Sequence, residues 1–271
     1  MATVIASGRL VRALAGAGFR RFATYRQATV AGAFTNSVFG FMRCYVLLSL
    51  ADTAGRVAGY DRAQLVTFVF AGQGLIAVVN YWSASELAER VRSGDVVADL
   101  LRPVDLMVNH LATDLGRAGY AVLTRFVVPV VVGMLAFDFY LPSHPYTYVL
   151  FAVSVVLAVL VCSACRYIVS LTAFWLMDAR GTQMLWVFAS GAGSGLSFPL
   201  PLLPDWLVTG LWLLTPFPTL MQAPLDVLVE RGGLGHAGLL LAGQVAWLAV
   251  VVGAARLVQR KALRRLVIQG G

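Results

Sequence analysis

Charged residues are scarce in this chain. They make up 13% of its 271 residues, whereas hydrophobic residues make up 59%, and a soluble domain is usually about one quarter charged. Several apolar runs last about 20 residues, the length that crosses a hydrocarbon core. These runs are continuous rather than alternating, which argues against a transmembrane β-barrel. The composition therefore predicts an all-α polytopic membrane protein.

Lysine and cysteine are also rare. The single lysine, Lys261, lies in the C-terminal tail, and no G-x-x-x-x-G-K-[ST] motif is present, which excludes a P-loop ATPase. Cys44, Cys162 and Cys165 lie within apolar runs, so a disulfide framework is unfavourable. The last two are spaced like half of a zinc site, but no second pair follows, and close packing is favoured. We expect no catalytic residue, metal or cofactor in this chain.

The basic residues indicate the topology. They cluster at the ends of the apolar runs, a pattern typical of membrane orientation and not of nucleic-acid binding. We predict six spans, at 28–50, 63–82, 113–137, 146–177, 182–198 and 236–258. With the N-terminus inside, fifteen basic residues lie on the cytoplasmic side and only Arg56, Arg62 and Arg231 lie outside. This bias predicts a cell (inner or plasma) membrane protein with both termini in the cytoplasm.

The two ends of the chain differ from this six-helix transmembrane domain, which covers residues 28–258. Residues 1–27 are predicted to form an amphipathic interfacial helix with a basic face. Its apolar face contains Val4, Val11, Leu14, Phe22 and Tyr25, and its basic face Arg9, Arg12 and Arg20. A flexible basic tail is the alternative. Residues 259–271 are predicted to form a basic cytoplasmic tail.

An apolar segment at residues 199–235 is interrupted by prolines. Six of them fall between Pro199 and Pro224, and each removes a backbone donor and tends to end a helix. We predict short re-entrant helices on the outer face, since such backbone must be buried in protein or line a cavity. The alternative is a further continuous span. The candidate outer gate consists of Phe198, Pro199, Trp206, Trp212 and Phe217.

An arginine inside an apolar run is costly and usually faces a cavity, a partner or the interface. Arg43, in the first span, is flanked by aromatic residues. It either lines a pathway or pairs with an acid such as Asp52 or Asp61. The candidate pathway lining is Phe39, Arg43, Tyr45, Trp82, Trp186 and Phe188, although these aromatics are equally compatible with core packing or an interfacial belt.

Residues 83–112 form a charged interruption between the second and third spans. Here "DVVADLL" predicts one short amphipathic helix that starts after Gly94 and is stopped by Pro103. Its apolar ridge contains Val96, Val97, Leu100 and Leu101, flanked by Asp95 and Asp99. We expect this ridge to dock into a groove of a soluble partner, with apolar anchors for affinity and charges for register.

The stretch "RSGDVVADLLRPVD" at 92–105 resembles the cytoplasmic loop signature of ABC-2-type permeases, in the branch described as ABC-2 family transporter proteins. The residues that fit are Arg92, Gly94, Val96, Leu100, Leu101, Arg102 and Pro103. The alignment is loose around Ala98 and Asp99. The order of elements (basic amphipathic helix, six spans, proline-broken outer segment before the last span) extends the resemblance over essentially the whole chain.

The resemblance implies a non-catalytic permease subunit, similar in fold to type V exporters, that exports a small hydrophobic or amphipathic compound. It implies two copies of a separate ATP-binding subunit, which would hold ATP and Mg, and a second permease, identical or paralogous. The loop helix would be the coupling helix in a cleft of that subunit. The implied coupling residues are Glu89, Arg92, Gly94, Asp95, Val96, Val97, Asp99, Leu100, Leu101, Arg102 and Pro103.

Three other functions are compatible with an apolar, multi-span chain. A membrane enzyme acting on lipid phosphates needs converging acids, and Asp178 has no acidic neighbour in sequence. A secondary transporter predicts internal repeats with buried acids at mid-membrane, and neither is seen. An assembly or anchor subunit in contact with membrane lipids is excluded by no sequence feature.

Overall fold

Helices make up most of the computed structural model, which describes residues 8–24, 26–54, 57–83, 86–176 and 179–265. The helices are α1 (Gly8–Phe22), α2 (Arg26–Ala54), α3 (Arg62–Val79), α4 (Glu86–Ser93), α5 (Val96–Leu100), α6 (Leu106–Ala121), α7 (Val127–Ala136), α8 (Pro145–Leu171), α9 (Arg180–Gly193), α10 (Asp205–Leu214), α11 (Gln222–Leu228) and α12 (Gly233–Leu263). A π-helical turn, Val122–Phe126, joins α6 to α7. Short 3₁₀ turns occur at Thr172–Phe174, Leu200–Leu202 and Phe217–Thr219. No β-strand is found within those ranges, so the all-α class is confirmed for them.

Five helices are long and apolar enough to cross a membrane. They are Thr29–Ala51, Arg62–Val79, Leu106–Ala136, Pro145–Phe174 and Gly233–Leu263. They overlap five of the six predicted spans, which confirms a polytopic membrane protein. The third of these helices begins at Leu106, seven residues before the predicted start of the third span at Thr113.

The predicted fifth span, 182–198, is not among these candidate spans. Here α9 has 14 residues, about 21 Å of helix against a hydrocarbon core of about 30 Å. The backbone leaves the helix at Ser194, and Gly195 has a φ of +84°, a conformation that a helix does not continue through. The predicted count of six full-length helical spans is therefore not confirmed.

Helix α3 lies at the centre of the bundle. Its fifteen consecutive residues from Leu65 to Val79 are all buried, and it packs against α2, α6, α7, α8 and α11. Its sequence is apolar on every face, as expected for a helix surrounded by other helices. Asp61 caps its start by accepting a hydrogen bond from the Gln64 amide at 2.8 Å, which satisfies one of the unpaired donors at the helix start.

Ion pairs and hydrogen bonds define the two ends of the bundle. At one end, called here the loop end, Arg21 of α1 pairs with Glu86 of α4 at 2.9 Å. Arg256, near the end of α12, pairs there with Asp105 at 2.6 Å. The end of the last helix thus lies beside the charged loop. At the opposite end, Glu230 accepts hydrogen bonds from the Tyr140 hydroxyl at 2.6 Å and the Thr147 hydroxyl at 2.5 Å.

Helix α1 packs tightly on α6 through small residues. A Cβ added at Gly116 would lie 1.8 Å from the carbonyl oxygen of Ala15, and one added at Gly18 would lie 2.2 Å from that of Thr113. Such close backbone approach is available only to residues without bulky side chains. The amphipathic helix therefore docks on a span as well as presenting a basic face. Val4 and Tyr25, predicted for its apolar face, lie outside the described residues.

Candidate functional site

The charged loop forms two short helices around a tight turn. Helix α4 ends at Ser93, Gly94 adopts a φ of +84°, and α5 follows with five residues. A φ of this sign is accessible to glycine at little cost, so Gly94 sets the turn. The single helix predicted to begin after Gly94 is found as α5. It ends at Leu100, before Pro103.

The apolar ridge of α5 is divided between two faces. Val96 is buried, with 2% of its surface exposed, and Leu100 packs against the core. Val97 and Leu101 point outward, with exposures of 38% and 82%. Residues four apart share a helix face, so the four positions form one inner pair and one outer pair. The ridge was expected to dock as a whole on a soluble partner, but Val96 and Leu100 are covered by the bundle core that lies beneath them.

Charged side chains fix the two helices relative to each other. Arg90 of α4 pairs with Asp99 of α5 at 2.5 Å, and Arg102 lies 3.5 Å from the same carboxylate. Within α4, Arg92 pairs with Glu89 at 2.5 Å.

The outward surface of the loop combines these charges with the outer apolar pair. We define the coupling surface as the exposed members of the predicted coupling set: Glu89, Arg92, Gly94, Asp95, Val97, Leu101, Arg102 and Pro103. An exposed apolar pair surrounded by charges is typical of a surface that binds another protein.

The loop is anchored to the spans on both sides. At its start, Glu86 pairs with Arg21 of α1. At its end, Asp105 caps α6 by accepting from the Val108 amide at 2.9 Å and also binds Arg256 of α12. Burial alone would raise the pKa of Asp105, but the hydrogen bonds from Arg256 and Val108 hold this pKa below its ordinary value. Asp105 is therefore an anionic link between α6 and α12 at neutral pH.

A second set of charges lies buried beneath the loop. Asp114 accepts a hydrogen bond from Arg117 at 2.5 Å, and Arg166 of α8 lies 3.6 Å away. Arg117 also donates to the carbonyl oxygens of Ala77 and Val78, at 2.7 and 2.8 Å, where α3 ends. The predicted site residues did not include Asp114, Arg117 or Arg166. The signal in the sequence that could have identified the buried pair is an acid and an arginine three apart inside an apolar run.

The predicted pathway residues fall into two groups. Trp82 and Trp186 line one cavity of about 350 Å³ near the loop end, and Trp186 donates its indole N–H to the Tyr81 carbonyl at 2.7 Å. Arg43 instead donates to the carbonyl of Leu196 at 2.7 Å, which ties α2 to the segment after α9. The remaining three aromatics are exposed on the outside of the bundle: Phe39, Tyr45 and Phe188.

The predicted outer-gate residues do not form one cluster. Pro199 is buried, whereas Phe198 and Trp206 are exposed, Trp206 by 75%. Trp212 and Phe217 are half-buried. The carbonyl of Trp212 accepts from the indole of Trp247 at 3.2 Å, and Phe217 makes an edge contact with Trp186 at a ring distance of 5.8 Å. These contacts connect the proline-broken segment to α9 and α12.

Comparison with known proteins gives one family. A family model described as ABC-2 family transporter protein matches residues 34–270, from within α2 to the C-terminal tail. The matched range contains the coupling surface, the buried charges beneath it and the proline-broken segment. Comparisons with curated proteins and with solved structures gave no match.

Proposed function

Because this chain belongs to the ABC-2 family of transporter proteins, we propose that it is the permease subunit of an ATP-driven exporter. Two copies of a separate ATP-binding subunit would hold ATP and Mg and bind the coupling surface. A second permease, identical or paralogous, would complete the pathway. The observation that carries this proposal is the division of α5, with Leu101 and Val97 exposed while Val96 and Leu100 are held by the bundle.

This division suits a helix that transmits force. A partner that binds the outer pair, Val97 and Leu101, would move α5, because α5 is the helix that carries both residues. Helix α5 is in turn connected to α4 through the ion pair between Arg90 and Asp99. The ends of the loop are connected to α1 through Glu86 and to α12 through Asp105. Packed interfaces shift as rigid units rather than deform continuously. Closure of the ATPase dimer would therefore move α1, α6 and α12 together.

We place the loop end in the cytoplasm, with six crossings of the membrane. The Asp105–Arg256 pair supports this topology, since it brings the end of α12 to the same side as the charged loop. The sixth crossing would combine α9 with the segment after Ser194, which accepts a hydrogen bond from the Gln222 amide at 2.8 Å. In intact cells, a membrane-impermeant thiol reagent should label Ser143→Cys and not Ser93→Cys. The native cysteines are buried. Labelling of Ser93→Cys would reverse the topology.

The proposal that the proline-broken segment enters the membrane without crossing it rests on helix length. Helix α10 has 10 residues, about 15 Å, which is too short to span. Its exposed Trp206, Leu213 and Leu214 would lie in the outer leaflet and cap an exit. This arrangement favours export of a hydrophobic or amphipathic compound. The exposed aromatics Phe39, Tyr45 and Phe188 would then face the second permease or lipid.

The coupling role is tested by charging the outer pair alone. In the double variant Val97→Asp, Leu101→Asp, we expect normal membrane insertion, since both side chains are outside the core. The ATP-binding subunit should no longer copurify, because each apolar anchor contributes on the order of 1–3 kcal/mol and a carboxylate would be buried in the partner. ATP-driven transport should be lost together with copurification.

Leu141→Asp is the matched control. Leu141 is also exposed, but it lies at the opposite end of the bundle, between α7 and α8. This variant should retain the full amount of ATP-binding subunit. A double variant that still copurifies and transports like the parent protein would show that the loop is not the coupling element.

A further inference from the structure

A cavity of about 410 Å³ lies at the loop end, between α1, α4, α5, α6 and α8. One wall is apolar and comes from α1, through Leu14, Ala17 and Phe22. The opposite wall is polar and comes from α6 and α8. The exposed side chains of Arg21 and Arg102 lie at its solvent side. The cavity thus joins an apolar surface to a charged interior at the end of the spans.

The charges around this cavity do not balance. Five arginines and three acidic residues line it. Most of the arginines have a specific acidic partner; in particular, Arg117 is matched by Asp114. The guanidinium of Arg117 also donates to two carbonyls of α3. Arg166, whose side chain is 11% exposed, lies 3.6 Å from the same Asp114 carboxylate, so two buried arginines share one acidic residue.

Buried polar atoms in the same place lack hydrogen-bond partners. Among the described residues, three atoms of the cavity lining have none: Nη1 of Arg166, Nε2 of His110 and Oδ2 of Asp114. The distance from Arg166 Nη1 to Asp114 Oδ2 is 3.6 Å, which is too long for a hydrogen bond. A buried guanidinium donor of this kind costs free energy until an acceptor is supplied. The excess positive charge makes an anionic acceptor the favourable one.

We propose that this cavity binds the phosphate of an anionic phospholipid headgroup, with Arg166 as the donor. Arginine binds phosphate strongly because its planar N–H groups match the oxygens. The lipid source is favoured because α1 supplies an apolar wall at the level of the membrane surface, where headgroups lie. Basic pockets between helices at the cytoplasmic side commonly bind such headgroups. The site lies directly behind Arg90 and Asp99 of the coupling loop.

The test uses the purified full-length chain in a neutral detergent. The rise in unfolding temperature is measured against short-chain phosphatidylglycerol, phosphatidylcholine with the same chains, and inorganic phosphate. Phosphatidylglycerol should stabilise the parent protein at the lowest concentration. Arg166→Gln should weaken that affinity by about tenfold or more, as expected for loss of a charge-assisted contact. Arg260→Gln, an exposed arginine in the last turn of α12, is the matched control and should leave the affinity unchanged.

A second variant provides the test if Arg166→Gln does not fold. Ala17→Phe fills the cavity from the α1 wall and leaves every charge in place, so it should also weaken binding of phosphatidylglycerol. Unchanged affinity in a folded Arg166→Gln, or in Ala17→Phe where Arg166→Gln fails to fold, overturns the site. Equal stabilisation by phosphatidylcholine overturns the preference for an anionic headgroup. Stabilisation by inorganic phosphate with none by phosphatidylglycerol overturns the lipid assignment.

Discussion

Replacing Arg117 with methionine is the most informative test of how the loop end is held together. The Arg117 guanidinium donates to the carbonyls of Ala77 and Val78, and these two groups lie in the last turn of α3. Carbonyls in a last turn have no partner within the helix, and a cation there also complements the helix dipole. The same guanidinium binds Asp114. Arg117→Met keeps similar bulk and removes all three contacts.

The expected loss of stability is about 3–5 kcal/mol, the cost of removing one partner of a buried ion pair. The two carbonyls of α3 would also lose their donors, at about 1–3 kcal/mol each where water cannot replace them. Arg166 reduces the total, because its Nη1 atom is 3.6 Å from Asp114 Oδ2 and a small shift would bring it into contact. A second change, Asp114→Asn, removes the carboxylate that the first change leaves buried. The double variant should therefore be more stable than Arg117→Met alone.

Stability is measured by titrating the purified protein from a mild detergent into a denaturing one and following helix loss. Arg260→Met, at an exposed site, should differ from the parent by less than about 0.5 kcal/mol. A loss below about 1 kcal/mol for Arg117→Met would refute the reasoning, since the buried pair is expected to cost several times more. Additive effects in the double variant would refute it as well, because residues in contact are expected to couple.

The remaining predictions concern close packing, pH and a buried hydroxyl, and all use the same detergent titration. Gly116→Ala should destabilise, because its Cβ would meet the backbone of α1, whereas Gly181→Ala, whose Cβ meets open space, should be neutral or stabilising; equal effects would contradict the packing of α1 on α6. Burial would raise the pKa of Glu230, but hydrogen bonds from neighbouring groups lower it to about 2. The stability that this carboxylate contributes is therefore present above its ordinary pKa of 4.5 and is lost as the pH falls from there towards 2; Glu230→Gln should flatten this decline, and an unchanged pH profile would contradict the shift. Tyr60→Phe removes the hydroxyl that donates to the buried Asp226 and should cost about 1–3 kcal/mol; no loss would show that this bond adds nothing.

Much of the architecture was predictable from local sequence. Five long helices followed from the lengths of the apolar runs, because membrane thickness fixes how many residues a helix needs. The start of α5 followed from Gly94, and its end, before Pro103, from a residue that a helix does not pass. The family followed from the same loop, since its motif is contiguous. These features depend on neighbours in sequence.

The segment of the predicted fifth span, 182–198, was harder to predict. Its composition suits a span, but α9 ends at Gly193, and the next residue is held against α11 by the hydrogen bond from the Gln222 amide to the Ser194 carbonyl. Composition reports whether a segment tolerates lipid. It does not report whether other helices are present to bury an interrupted backbone, which is the condition for ending a helix at that depth.

The sequence by itself determined that α5 is apolar on one side, and only the tertiary structure decided which of its residues remain exposed. Val96 and Val97 are chemically identical, and they differ because α5 lies on the bundle with Val96 beneath it. In the same way, Arg117 became a cap for α3 only when α6 was packed beside that helix. Periodicity fixes which side chains share a face, because it follows from helix geometry. What covers that face depends on contacts between residues far apart in the chain, and local sequence does not encode those contacts.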